Sequence, residues 1–198
     1  IKPLHEEIGT NVVMRTAAGA GDVAEAFEVA DEIVKASYEV PRLVATPMEC
    51  RGIVAKHDDT DGRLTVWTST QVAHRVKSFL GRLLPQKPDV RVVTPDVGGG
   101  FGRKIDVWPE EVVVAYAAIE LGAPVKWIEQ RTEHMVASHG RGFTADVEAA
   151  VRNDGSILGL RIRMVADLGA YFLTSTAGPL GNAVQRVAGP YAIPAMDI

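Results

Sequence analysis

Apolar positions recur along the chain with two spacings, and the order in which these alternate predicts the string of elements. Val23–Ala30 carries a helical apolar spacing behind Asp22, a residue suited to the N-cap. Glu32–Val40 alternates loosely, as a strand does. Gly52–Lys56 and Leu64–Thr68 are expected strands around the polar turn His57–Gly62, whose Asp61-Gly62 pair suits a hairpin. Val72, Val76, Phe79, Leu80 and Leu83 then fall on one face of a helix over Gln71–Leu84, capped by Ser69 or Thr70 and ended by Pro85 and Pro88. Val90–Val93 is a short strand leading into glycines. Pro109 suits the first turn of a helix running to Leu121 and stopping at Gly122, with Glu110 and Glu111 near the positive end of its dipole. A strand at Val125–Ile128 and a short helix near Thr132–Ser138 follow. Thr144–Arg152 and Ile157–Ala166, joined by Asn153-Asp154-Gly155-Ser156, form the clearest hairpin, and Gly178–Ala188 is expected to be helical.

Strand-helix-strand units mixed with hairpins predict an α/β or α+β fold with a mixed sheet. A boundary near residues 85–90 is compatible with the pattern but not required by it. The 198 residues are 46% hydrophobic and 23% charged, enough for one or two domains with a packed core. A net charge of −4 gives no nucleic-acid footprint. No apolar run approaches the length of a bilayer span. With Cys50 the single cysteine, a disulfide framework and a thiolate metal site built within the chain are excluded; a reduced cytoplasm is the plain reading of the compartment, and a cysteine-poor exported protein would look the same. Ile1 and the closing Pro194-Ala195-Met196-Asp197-Ile198 both have the look of interior sequence, so a piece of a longer protein is expected.

The unusual stretch is VGGGFGRKID, residues 97–106, in which four of the first six residues are glycine. A Walker A loop fails, because Arg103, Lys104 and Ile105 stand where Lys and Ser or Thr are needed. The dinucleotide fingerprint fails too: Gly98 and Gly100 match, but Arg103 occupies the third glycine position. Exposed N–H groups in such a loop can still form an anion-binding nest, and a position between a strand and a helix is where ligands sit in α/β sheets. Taken alone, the run reads first as a tight turn using positive φ.

The loop is one of an ordered set. Pro47-Met48-Glu49-Cys50-Arg51-Gly52, Leu64-Thr65-Val66-Trp67, Thr68-Ser69-Thr70-Gln71, GGGFG and Trp127-Ile128-Glu129-Gln130-Arg131-Thr132-Glu133 follow one another over nearly the whole chain. This set resembles the molybdopterin-binding subunit of the xanthine dehydrogenase, aldehyde oxidase and aerobic carbon monoxide dehydrogenase family. The resemblance implies a molybdenum hydroxylase that takes its oxygen from water and acts on an aldehyde, an N-heterocycle or carbon monoxide. It further implies a molybdenum–molybdopterin cofactor in the cytosine dinucleotide form, FAD-binding and 2Fe-2S partner subunits, and a dimer of heterotrimers. Carried over by residue, Gln71 corresponds to the glutamine that hydrogen-bonds a molybdenum oxo group, and Gly99, Gly100, Phe101 and Gly102 to the loop lying against the metal and its dithiolene. The family's catalytic glutamate and a second arginine-bearing loop fall beyond Ile198, so no catalytic residue is expected here and the chain alone is expected to be inactive. Purine-hydroxylating members carry glutamate just after GGGFGGK; here Ile105 stands in that place and Arg103 replaces the last glycine, with Asp106 one position late, which argues against a purine substrate. The competing reading is a nucleotide- or anion-binding module built on the glycine loop.

Other candidates have plainer readings. Glu49 is expected to be a structural carboxylate paired with Arg51 or Arg42, and Cys50 a packing residue. His134 and His139, five apart, do not share a helix face as metal ligands would, and are expected at the surface. His57, Asp58, Asp59 and Asp61 lack the spacing of a calcium loop and form a solvated turn. His74, one turn beyond Gln71, is not expected in the cleft. Arg131 and Arg141 are candidates to buttress the glycine loop through ion pairs, with no role assigned.

Overall fold

The computed structural model describes residues 2–137, 140–169, 171–173 and 175–198. It divides into two compact units, one of Ile1–Leu43 with Gly140–Ile198 and one of Val44–His139.

In the first unit a five-stranded mixed sheet runs in the order β1-β9-β8-β7-β2, from β1 (Gly19–Ala20), β2 (Glu32–Leu43), β7 (Arg141–Val151), β8 (Ile157–Asp167) and β9 (Ala195–Asp197). The expected hairpin is β7–β8, closed by Gly155 at φ +87, a conformation that glycine alone adopts without strain. Asp22 caps α1 (Val23–Glu28) by accepting from Glu25 N at 3.0 Å, as its position predicts. Helix α5 (Gly178–Arg186) closes the unit. The strands β1 and β9 are too short to leave a periodic pattern, and the sequence reading missed them.

The second unit carries a four-stranded sheet in the order β5-β4-β3-β6: β3 (Gly52–Asp58), β4 (Arg63–Thr68), β5 (Asp89–Val93) and β6 (Val125–Ile128). β4 pairs antiparallel with β3 and parallel with β5, so this sheet is also mixed. Residues 85–90 lie inside this unit, running from the end of α2 into the start of β5. The core-facing positions Ile53, Ala55, Leu64, Val66 and Val90 pack against Val76, Leu80 and Leu84 of the α2 region and Val114, Ala115 and Ala118 of α3 (Pro109–Leu121). One sheet face is thus closed by two helices, and the removal of this apolar surface from water is the main force holding the unit. Gly122 ends α3 at φ +58, the left-handed C-cap its sequence position predicts. The fourth helix, α4, spans Arg131–Ala137.

α2 departs from expectation at its start. It spans Ala73–Leu83, with no side-chain cap. Thr70 Oγ1 is engaged elsewhere: it accepts from Val72 N at 3.1 Å and donates to the Lys104 carbonyl at 3.0 Å. Residues 69–72 are therefore drawn out of the helix towards the glycine stretch. Leu83, expected on the buried face, is 56% exposed, while Leu84 is buried.

Candidate functional site

Because β4 and β5 run parallel, their C-terminal ends lie at the same edge of the sheet. β4 delivers Thr68-Ser69-Thr70-Gln71 to that edge, and β5 delivers residues 94–108. Thr68, Ser69 and Thr70 are buried, whereas Gln71 is exposed. The two segments are stitched together directly: Gln71 N donates to the Lys104 carbonyl at 2.9 Å, and Gln71 Oε1 accepts from Gly102 N at 3.0 Å and Lys104 N at 3.3 Å. An amide oxygen holding two main-chain donors fixes the orientation of its own group and leaves Nε2 facing away as a donor.

Space inside the loop is taken by neighbouring side chains. A Cβ on Gly98 would lie 2.6 Å from Glu49 Cβ, one on Gly99 2.9 Å from the Phe101 ring, and one on Gly100 2.4 Å from Gln71 Cδ. The glycines are needed because the loop nests on Glu49, Gln71 and Phe101 of this same chain. Arg103 N donates to the Gly100 carbonyl at 2.9 Å, closing a turn whose central residues, Phe101 at φ +50 and Gly102 at φ +86, both have positive φ as in a type I′ turn. Among the described residues, the main-chain N–H groups of Gly100 and Phe101 and Nε2 of Gln71 have no partner, and neither do the buried Nε and Nη1 of Arg103. The sequence-predicted residues Gln71, Gly99, Gly100, Phe101 and Gly102 are thus brought together.

Phe101 is a bulky residue in a left-handed conformation with 72% of its surface exposed. Such a backbone costs on the order of 1 kcal/mol for a non-glycine residue, and asparagine tolerates it better. Phe101→Asn is expected to stabilise the Val44–His139 unit by about 0.5–1 kcal/mol in urea denaturation. A destabilisation of similar size would show instead that the ring contributes packing that its exposure does not reveal.

Behind the loop lies a buried ionic layer that the sequence reading missed. Arg51 and Glu129 are 5% and 2% exposed, and each of their charged groups is fully paired. Glu129 Oε1 accepts from Arg51 Nε at 3.0 Å and Nη2 at 2.7 Å; Oε2 accepts from Arg51 N at 3.0 Å and faces His134 Nδ1 at 2.9 Å. The Arg51 guanidinium also lies over Trp108, 4.3 Å from the ring centroid, and 5.4 Å from that of Trp127. His134 is fully buried, which corrects the surface expectation: its Nε2 meets the Ala45 carbonyl at 3.0 Å, so both ring nitrogens face acceptors. Cys50, Glu129 and His134 have ligand-type atoms within 4.8 Å of one another, but every Glu129 and His134 atom is already bonded, so the cluster is structural.

Glu49 is also corrected. Its partner is Lys104, at 2.7 Å, rather than Arg51, which belongs to Glu129, or Arg42, which pairs with Asp167. Arg131 Nη2 donates to the carbonyls of Pro47 and Met48, at 2.6 and 2.9 Å, so it supports the Glu49 segment without an ion pair. Arg103 is buried on the inner side of the loop, its Nη2 donating to the His134 carbonyl at 2.6 Å. The His57–Asp61 region is a hairpin turn whose aspartates bind the turn's own groups: His57 Nδ1 to Asp59, Thr60 to Asp58 and Arg63 N to Asp61. His74 is exposed on α2, Asp106 is buried, and His139 and the Arg141 side chain lie outside the described residues.

Two of these carboxyls give the unit a signature in acid. Burial pushes the Glu129 carboxyl up, but hydrogen bonds from Arg51 and His134 outweigh it and hold the group at about 2. In Glu49 burial is likewise outweighed by Lys104, Ser69 and Gly98, and the group lies below the usual carboxylate range. A group lowered on folding contributes stability that is complete above its unfolded pKa and is lost as pH falls through its folded one. Glu111 runs the other way: burial raises it, and bonds from Trp108 N and Thr68 Oγ1 offset this only in part. The Val44–His139 unit is therefore expected to lose stability between about pH 4.5 and 2. Trp108 and Trp127 fluorescence would report it, and stability unchanged across that window would contradict the assignment.

The family model described as a molybdopterin cofactor-binding domain matches residues 4–198. The large subunit of nicotine 6-hydroxylase from Paenarthrobacter nicotinovorans is 39% identical over 192 residues, covering 94% of this chain and 24% of that protein. The carbon monoxide dehydrogenase large chain of Hydrogenophaga pseudoflava is 40% identical over 159 residues, 77% of this chain and 20% of that one. The crystal structure of quinoline 2-oxidoreductase from Pseudomonas putida 86 superposes with a TM-score of 0.76 at 32% identity, covering 92% of this chain and 24% of its own. The chain thus spans about a quarter or less of these relatives, and by the match over residues 4–198 it belongs to the molybdopterin cofactor-binding domain family.

Proposed function

We propose that this chain is part of the catalytic subunit of a molybdenum hydroxylase, and that Gln71 with residues 99–102 forms the wall of its metal pocket. The observation that carries this reading is the donor set: Gln71 Nε2 and the N–H groups of Gly100 and Phe101 have no partner among the described residues, while Gln71 Oε1 is fixed by Gly102 N and Lys104 N. These donors suit an electron-rich oxygen or sulfur ligand, and none of them brings a formal charge to the metal. When bound, the cofactor supplies the redox chemistry, an oxidation that takes its oxygen from water. This chain's residues supply a fixed wall: Gln71 donates through Nε2, the Gly100–Arg103 turn aims two main-chain donors, and the Phe101 ring shields part of the surface from water.

The cofactor is molybdopterin in its cytosine dinucleotide form, with FAD and 2Fe-2S clusters on partner subunits and a dimer of heterotrimers as the assembly. The setting is cytoplasmic; among the described residues no helix is long and apolar enough to cross a membrane. Arg103 and Ile105 replace the glycine and glutamate of the purine-binding pattern, which supports an aldehyde, a non-purine N-heterocycle or carbon monoxide as substrate. The general base lies outside this chain. Metal analysis of the intact subunit, purified with its partners, tests the reading: near-stoichiometric molybdenum is expected, and a metal-free subunit would contradict it.

A further inference from the structure

The loop hangs on two side-chain oxygens. One is Gln71 Oε1, already described. The other is Glu49 Oε2, which accepts from three donors at once: Ser69 Oγ at 2.6 Å, Lys104 Nζ at 2.7 Å and Gly98 N at 2.8 Å. Glu49 N also donates to the Gly98 carbonyl at 3.2 Å, so residue 98 is gripped at both of its main-chain groups. The Lys104 side chain is fully buried, and Ser69 Oγ, at 2.8 Å, is its other partner. Both ends of the loop, Gly98 and Lys104, are therefore tied to one carboxylate oxygen. Ser69, two residues before Gln71, is tied to the same atom.

We propose that Glu49, Lys104 and Ser69 are positioning residues for the site: their shared oxygen sets the placement of Gln71 Nε2 relative to the free N–H groups of Gly100 and Phe101. A burial argument separates this role from plain stabilisation. Lys104 at zero exposure needs a counterion, and any carboxylate in reach would meet that need. A counterion alone would not have to accept from Gly98 N and Ser69 Oγ through the same atom, nor match its main chain to Gly98. Glu49 Oε1 takes no part in this and has no partner among the described residues. The carboxylate is thus held by one oxygen, and its three bonds all run to segments that carry the pocket wall.

This inference rests on the proposed function for its consequence in turnover, but not for the clamp itself. The test uses the intact subunit with its partners, as wild type, as Glu49→Gln, and as the charge-balanced pair Glu49→Leu with Lys104→Met. The double variant covers the case in which a lone buried lysine prevents folding. Two quantities are read: amide hydrogen exchange of peptides from residues 97–105 against peptides from β4 and α3, and kcat separately from KM. In both variants, loop amides are expected to exchange at least about tenfold faster while β4 and α3 amides keep their protection. kcat is expected to fall about ten- to a hundredfold with KM little changed, since donors displaced by a fraction of an ångström lose the developing charge rather than the bound substrate. Unchanged loop exchange in Glu49→Gln, a uniform rise across all peptides, or a double variant with wild-type loop protection would each overturn the clamp. Wild-type protein without molybdenum would sink the functional reading while leaving the exchange result to decide the clamp.

Discussion

Gln71→Ala, made in the intact molybdenum-loaded subunit, is expected to lower turnover by about ten- to a thousandfold, the range for losing one preorganised donor. The substitution removes two things. Nε2 is lost as a donor to the pocket, and Oε1 is lost as the acceptor for Gly102 N and Lys104 N. Gln71→Glu separates them, because a carboxylate still accepts from both main-chain groups but cannot donate when ionised. A fall in kcat of similar size in Gln71→Glu, with metal content and loop protection preserved, would assign the effect to the donor. Turnover unchanged in both variants would remove Gln71 from the site.

The largest effect on stability is expected from Glu129→Ala. Glu129 satisfies Arg51 and His134, both buried, through four contacts that use both of its oxygens. Taking the carboxylate away leaves the Arg51 guanidinium with Glu110 alone, at 3.5 Å and on a partly exposed side chain, and leaves His134 Nδ1 unpaired. Breaking a buried pair from one side costs about 3–5 kcal/mol, because the remaining charge stays out of water without a partner. The measurement is urea denaturation followed by the fluorescence of Trp108 and Trp127, which sit on Arg51. Glu129→Gln should lose less, since the amide oxygen keeps part of the Arg51 contact. A cost below about 1 kcal/mol for Glu129→Ala would mean that water replaces the carboxylate and that the layer is not sealed.

These effects divide along the same line as legibility in the sequence. Elements with their own period were visible: the β7–β8 hairpin from Asn153-Asp154-Gly155, α3 from Pro109 to Gly122, and the core strands β3 and β4. The meeting of Gln71 with the glycine loop is implied by the family resemblance and not by any local spacing. The supporting layer was not visible. Glu129 meets Arg51 across 78 positions and Lys104 meets Glu49 across 55, and no local spacing encodes such pairs. Nearness in sequence points Glu49 to Arg51, two residues away, but the Arg51 guanidinium is taken by Glu129 from a distant segment. A lone histidine on a short helix carries no sign of burial, and the partner of His134, the Ala45 carbonyl, is a main-chain atom that leaves no mark in the sequence. The start of α2 at Ala73 is hidden in the sequence for a related reason. The Thr70 hydroxyl looked like a helix cap, and it is spent on holding the Lys104 carbonyl instead.

The glycines themselves take on a different meaning once the loop is seen folded. Their missing side chains make room for Glu49, Gln71 and the Phe101 ring. The close approach lets Gln71 Oε1 and Glu49 Oε2 accept from the loop's main chain at Gly102, Lys104 and Gly98. The central claim is that Gln71 and residues 99–102 border the metal, and an anomalous difference map of the intact, loaded subunit, recorded above the molybdenum edge, tests it most directly. The account predicts a molybdenum peak facing Gln71 Nε2 and the N–H groups of Gly100 and Phe101; a peak elsewhere in the subunit, with these donors turned to solvent, would contradict it.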